Sequence, residues 1–248
     1  MYNVHCRCSC RCRSLYIIHY TLYIAVVVAV AVHCTLYIIH CTLIKGVKMD
    51  FSYKYAGNLY LNITNRCMMA CPYCIKHKWE NKFRGNSLKL DREPSVEEVI
   101  KSIGDPSQYG EIIFCGYGDA LIRLPEVIEI SKWLKSKNVR VRINTAGLAN
   151  RYHNRNILPE LEGLIDVISI SLNGTTPKEH NEINRPMFKE ESFDEIIKFA
   201  EAAKEYIPTV VITAVELPGL DVSKVKEIAK SAGVLFRSRP YLDEYENS

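Results

Sequence analysis

Residues 58–74 read NLYLNITNRCMMACPYC, and the two halves of this stretch ask for different things. Asn58–Thr64 alternates Leu59, Leu61 and Ile63 with polar or aromatic neighbours, the pattern of a strand. At its end stand Cys67, Cys71 and Cys74, spaced C-x3-C-x2-C. With four Cys in the 200 residues after Lys48, a chance match to that spacing is expected on the order of two times in a thousand. Three thiolates on one tight loop can hold three irons of a cubane cluster and leave the fourth iron open to an exogenous ligand. Two plainer readings stand beside this one: a zinc site completed by His77, as Cys71-x2-Cys74-x2-His77, and ordinary buried thiols. Packing explains three thiols in one loop poorly, and an odd set of three argues against disulfides and an oxidising compartment.

Outward from that stretch the chain alternates strand and helix. Further strands are expected at Glu111–Cys115, Arg140–Asn144, Asp166–Leu172, Thr209–Val215 and Val234–Arg239. Ser95 with Glu98 makes a capping box before Val96, Val99, Ile100 and Ile103, and Ser192 with Glu195 predicts another before Phe193, Ile196 and Ala200. Pro125 marks a helix start and Gly233 a helix stop. Six βα units in 200 residues mean parallel strands with outer helices, in an open doubly wound sheet or an incomplete barrel. A closed eight-stranded barrel wants about 250 residues, so an α/β fold with a partial, TIM-like (β/α)6 barrel fits better. Either way the active site belongs at the carboxyl ends of the strands.

The whole chain has 248 residues and a net charge of +4, with every excess basic residue at its start. Residues 1–48 hold five basic residues, no acid and six of the ten Cys. The remaining 27 basic and 28 acidic residues leave 49–248 near neutrality, which argues against specific nucleic-acid binding through phosphates. The first segment repeats itself, LYIIHYTL at 15–22 returning as LYIIHCTL at 36–43. Residues 15–44 carry no formal charge, so they are either a membrane anchor or low-complexity sequence ahead of a start at Met49, and the repeats favour the second. A C-x-C-x-C-x-C run at 6–12 offers soft-metal ligands. The folded domain is expected to span 49–248.

The cysteine spacing after a first strand resembles the radical S-adenosylmethionine superfamily. The phrases NLYLNITNRC, IIFCGYGD, VRINTAGLAN, LIDVISISLN and FRSRPY look most like the branch of TatD-associated radical SAM proteins. The resemblance runs over nearly all of 55–242. It implies a [4Fe–4S] cluster on Cys67, Cys71 and Cys74 whose open iron chelates S-adenosylmethionine (SAM). It also implies reductive cleavage of SAM to a 5′-deoxyadenosyl radical, a small electron donor such as ferredoxin or flavodoxin, and a cytoplasmic setting. By the same resemblance Tyr73 would lie against the adenine. Gly116, Tyr117, Gly118 and Asp119 would form the turn that meets the methionyl amino group, although Asp119 and Ala120 replace the usual Glu and Pro.

Period-two alternation puts Arg142 and Asn144 on one face of their strand, Ser169 and Ser171 on one face of the next, and Arg237 with Arg239 on one face of the last. Asn144 and Ser171 match positions that touch SAM in the superfamily, Arg142 is a candidate for its carboxylate, and the two C-terminal arginines hint at an anionic substrate. Loops 76–93, with Trp79 and Phe83, and 173–191, with His180 and Arg185, are expected to be solvated by default. Cys115 is expected to be a buried, inert thiol. No second cysteine cluster follows residue 74, which disfavours auxiliary clusters.

Overall fold

The computed structural model describes residues 50–77 and 82–241. All belong to the second of the two units into which the chain divides, Met1–Lys48 and Met49–Ser248. The expectations for residues 1–48, and for Trp79, therefore lie outside the described residues.

Six parallel strands stand side by side in chain order: β2 (Asn58–Leu61), β5 (Ile112–Phe114), β6 (Val141–Thr145), β7 (Val167–Ser171), β8 (Thr209–Val215) and β9 (Leu235–Arg239). They correspond one to one with the six expected strands. An antiparallel strand that the sequence reading missed, β1 (Ser52–Tyr55), edges the sheet beside β2, with Tyr53 opposite Tyr60. Ala56 and Gly57, both at positive φ, form the two-residue turn between them. A separate hairpin, β3 (Lys82–Phe83) and β4 (Asn86–Ser87), packs Phe83 edge-on against Tyr53, so this part of the 76–93 loop is structured rather than freely solvated.

The crossovers are helical, as parallel pairing requires. They are α1 (Val96–Ile103), α2 (Leu124–Ser136), the short α3 (Ala149–Tyr152), α4 (Pro177–Asn184), α5 (Glu191–Ala203) and α6 (Val222–Ser231). The Ser95–Glu98 capping box is present, Pro125 lies in the first turn of α2, and Gly233 follows α6 at positive φ. The second capping box does not form. Helix α5 begins before Ser192, through bonds from Ser192 N to Lys189 O and from Phe193 N to Glu190 O, which leaves Ser192 inside the first turn with its hydroxyl buried and unpartnered.

Alternate strand residues divide the molecule into two environments. Leu59, Leu61, Ile112, Phe114, Val141, Ile143, Ile168, Ile170 and Ile212 are buried with the apolar faces of the helices, including Val127, Ile130, Ile196 and Phe199. The ladder registers put Tyr60, Ile113, Arg142, Asn144, Ser169, Ser171, Thr213, Arg237 and Arg239 on the opposite, inner face. The sheet ends in two edges, β1 and β9, so the barrel is open. No helix among the described residues is long and apolar enough to cross a membrane.

Candidate active site

The loop that leaves β2 at its carboxyl end carries Cys67, Cys71 and Cys74, all partly exposed and free of disulfides. Its own turns are local: Cys74 N donates to Cys71 O at 3.1 Å, and His77 N to Cys74 O at 2.9 Å. Its position is set from two sides.

On one side is the turn after β5. A Cβ on Gly116 would stand 2.2 Å from Asn62 Oδ1, and one on Gly118 would stand 2.2 Å from Arg66 O and 2.6 Å from Thr64 O. Glycine is needed here because two backbones pass at contact distance. Tyr117 N donates to Asn62 Oδ1 at 2.9 Å and Asp119 N to Arg66 O at 2.8 Å, which completes the seam. The close approach that these glycines permit in the structure is to the cysteine loop itself. Tyr117 is buried beside Tyr53 and Leu88, and its hydroxyl donates to Lys76 O at 3.0 Å.

The Asp119 carboxylate is committed as well. One oxygen accepts from Leu121 N, the other from Thr145 Oγ1 at 2.8 Å and Ala146 N at 2.7 Å, which ties the turn to the end of β6. Burial raises its pKa despite these three donors. Three donors thus occupy most of the acceptor positions of this carboxylate.

On the other side is the segment after β7, which was expected to be solvated. Its helix α4 ends in Asn184, which is 1% exposed. Asn184 Oδ1 accepts from Tyr73 Oη at 2.6 Å and Cys71 Sγ at 3.7 Å, while its amide nitrogen donates to Asn173 O and His180 O. Arg185, at φ +47, turns the chain so that Met187 N donates to Met68 O and Pro186 bridges Met69. Asn173 adds a second hold on Tyr73, donating to its hydroxyl at 2.8 Å. The sequence reading missed Asn173 and Asn184, because an Asn at the end of a polar helix has no spacing that separates it from a surface residue.

Burial dominates the electrostatics of this loop. It pushes the Cys67 thiol up to about 12, with the Asp119 carboxylate adding to the effect. It raises Cys71 too, offset in part by the Tyr73 hydroxyl. Uncharged thiols of this kind would become ligands by releasing their protons as a metal binds. Among the described residues no three His, Cys, Asp or Glu side chains gather around one metal ion. The ligands of a cubane sit on separate irons and need no such convergence.

Inside the barrel, Asn144 and Ser171 face the interior as expected, with Asn144 Oδ1 unpartnered. Arg142 faces it too, but its Nη2 is bound to Glu111 Oε2, so its charge is matched within the protein. Cys115 continues the inner-face alternation of β5 as a free thiol, and burial raises its pKa, offset in part by the nearby Asn144 side chain. A groove of about 310 Å³ lined by Lys204, Ile207 and Leu235 opens at the amino ends of β8 and β9, opposite the cysteine loop.

Three free cysteines thus stand at the carboxyl mouth of an open parallel barrel, over a polar interior. Residues 61–232 match the radical SAM superfamily, and the chain belongs to it. It is 26% identical over 168 residues to a putative glycyl-radical enzyme activating enzyme of Methanocaldococcus jannaschii, covering 66% of this chain and 64% of the relative. Among solved structures it resembles a radical SAM methyltransferase from Sphaerobacter thermophilus, with a TM-score of 0.55 and 12% identity over 76% of this chain and 57% of the other. It also resembles Streptococcus suis SuiB bound to the precursor peptide SuiA, with a TM-score of 0.54 and 14% identity over 77% and 40% of the two chains. At such identities the structural likeness speaks for the fold alone, and the superfamily implies SAM and an iron–sulfur cluster.

Proposed function

We propose that the chain holds a [4Fe–4S] cluster on Cys67, Cys71 and Cys74 and uses it to make a substrate radical. When bound, the cluster supplies one electron, taken from a small donor such as ferredoxin or flavodoxin, that splits SAM into methionine and a 5′-deoxyadenosyl radical able to take a hydrogen atom from substrate. The observation that carries this reading is the double clamp on the three-cysteine loop, by the Gly116–Asp119 turn and by Asn184, which holds Tyr73 through its side chain and Ala70 N through its carbonyl.

The chain's own residues have separable tasks. Tyr73, with its hydroxyl fixed by Asn173 and Asn184, presents its ring in one orientation, suited to lie against adenine. Carbonyls of the Gly116–Gly118 turn are offered to the methionyl amino group, which needs acceptors. Asn144 and Ser171 give polar contacts from the inner face. Within the superfamily we place the chain nearest the TatD-associated proteins, on the phrases quoted above, and we place it in the cytoplasm, where free thiols persist. The catalytic domain is 49–248.

The competing reading is a zinc-stabilised binding module. The test is anaerobic purification: the protein should be brown, absorb broadly near 400 nm and lose its iron on Cys67→Ala, Cys71→Ala or Cys74→Ala, but keep it on Cys115→Ala. A colourless protein with one zinc, or equal iron loss from Cys115→Ala, would reverse the assignment.

A further inference from the structure

Four arginines share the inner-face alternation of the barrel, and the acid among them pairs with two of them, Arg140 and Arg142. Glu111, 5% exposed at the start of β5, receives Arg142 Nη2 on one oxygen and has Arg140 Nε 3.4 Å from the other. Arg237 and Arg239 form no ion pair among the described residues. They stand two residues apart on β9, opposite Thr213 and Val215 of β8, so both guanidiniums leave the same face. Arg239 spends one nitrogen on Ser171 Oγ at 3.2 Å, and its Nε is buried without a partner. Ser169, 2% exposed on the inner face of β7, one strand beyond β8, also has a buried hydroxyl without a partner. Arg237 is exposed on this edge strand, and its guanidinium is held below its ordinary value first by partial burial and then by Arg142 and Arg239.

A buried donor without a partner, here Arg239 Nε, is costly, and neighbouring guanidiniums repel one another. Both costs are removed by a small oxyanion. A planar fork of guanidinium donors suits carboxylate and phosphate alike. We infer that the inner face of β9 is the substrate's anchor, with Arg237 and Arg239 taking the carboxylate or phosphate of a small organic acid and Ser169 completing its hydrogen bonds. This deepens the radical SAM reading and rests on it, since it gives the acid group a fixed place from which one C–H bond is presented to the radical.

The experiment uses the full-length, anaerobically reconstituted protein at constant ionic strength. Inorganic phosphate, succinate and the neutral succinamide are titrated calorimetrically in separate arms, with and without saturating SAM. At least one anion should bind saturably and succinamide should not; which anion binds separates a phosphate from a carboxylate substrate. Arg237→Gln and Arg239→Gln should each weaken that binding at least 10-fold, while Arg237→Lys and Arg239→Lys, which keep the charge, recover part of it and rule out a folding defect. The inference is overturned if no anion saturates, if succinamide binds equally, or if the Gln variants bind unchanged. It is also overturned if the anion competes with SAM, because the arginines would then serve the SAM carboxylate. Release of 5′-deoxyadenosine from the same wild-type preparation is scored separately. Anion binding without that release would sink the radical reading and leave the anion site standing.

Discussion

Asn184 bonds Tyr73 and Cys71 through one oxygen and two backbone carbonyls through its nitrogen, so no group of its side chain is spare. Asn184→Ala strands the Tyr73 hydroxyl and frees the cysteine loop on that side. It should lower stability by about 2–3 kcal/mol and reduce iron per chain, read by chemical denaturation and iron assay. Its neighbour His180 is 1% exposed, and burial lowers its pKa to about 4. As pH falls below the ordinary His value, the unfolded chain takes up this proton while the folded chain does so only near pH 4. Stability present above pH 6.5 is therefore lost across that interval, by about 2 kcal/mol between pH 7 and pH 5. Denaturation curves should show that slope in the parent and a flatter one in His180→Gln. The sequence showed the three cysteines plainly because their spacing is rare. It did not show that Asp119 and Arg142 are consumed by Thr145, Ala146 and Glu111, because those partners are brought close only by neighbouring strands.

The turn after β5 and the loop after β2 act as one element, joined where Gly116 and Gly118 meet Asn62, Thr64 and Arg66. If Gly118 served only to admit SAM, a methyl group there would weaken SAM binding and spare the cluster. Since that methyl would instead meet Arg66 O, Gly118→Ala should already lower iron content, and Gly118→Val more so. Iron and SAM affinity measured on both variants decide between the two. The six parallel strands were legible because β-branched runs recur between helical periods. Strand β1 was not: SYKYAGNLY has only an Ala-Gly pair for a turn, and its four-residue strand is defined by pairing with β2. The start of α5 was misread for a related reason, since the helix already runs from Glu191 and Ser192 N donates to Lys189 O rather than to the Glu195 side chain.

For the molecule as a whole, the inner face combines a polar floor, a clamped cysteine loop at the mouth and unmatched cations on β9. If residues 49–248 are the catalytic domain, a chain beginning at Met49 should bind as much iron as the full chain. The central claim is that the clamped cysteines serve to cleave SAM reductively. The direct measurement is 5′-deoxyadenosine released from SAM by the anaerobically reconstituted, dithionite-reduced protein without added substrate. Slow release is predicted, absent from Cys71→Ala. An intact, reducible cluster that neither binds SAM nor releases 5′-deoxyadenosine would contradict the account and point to a cluster used for structure or electron transfer.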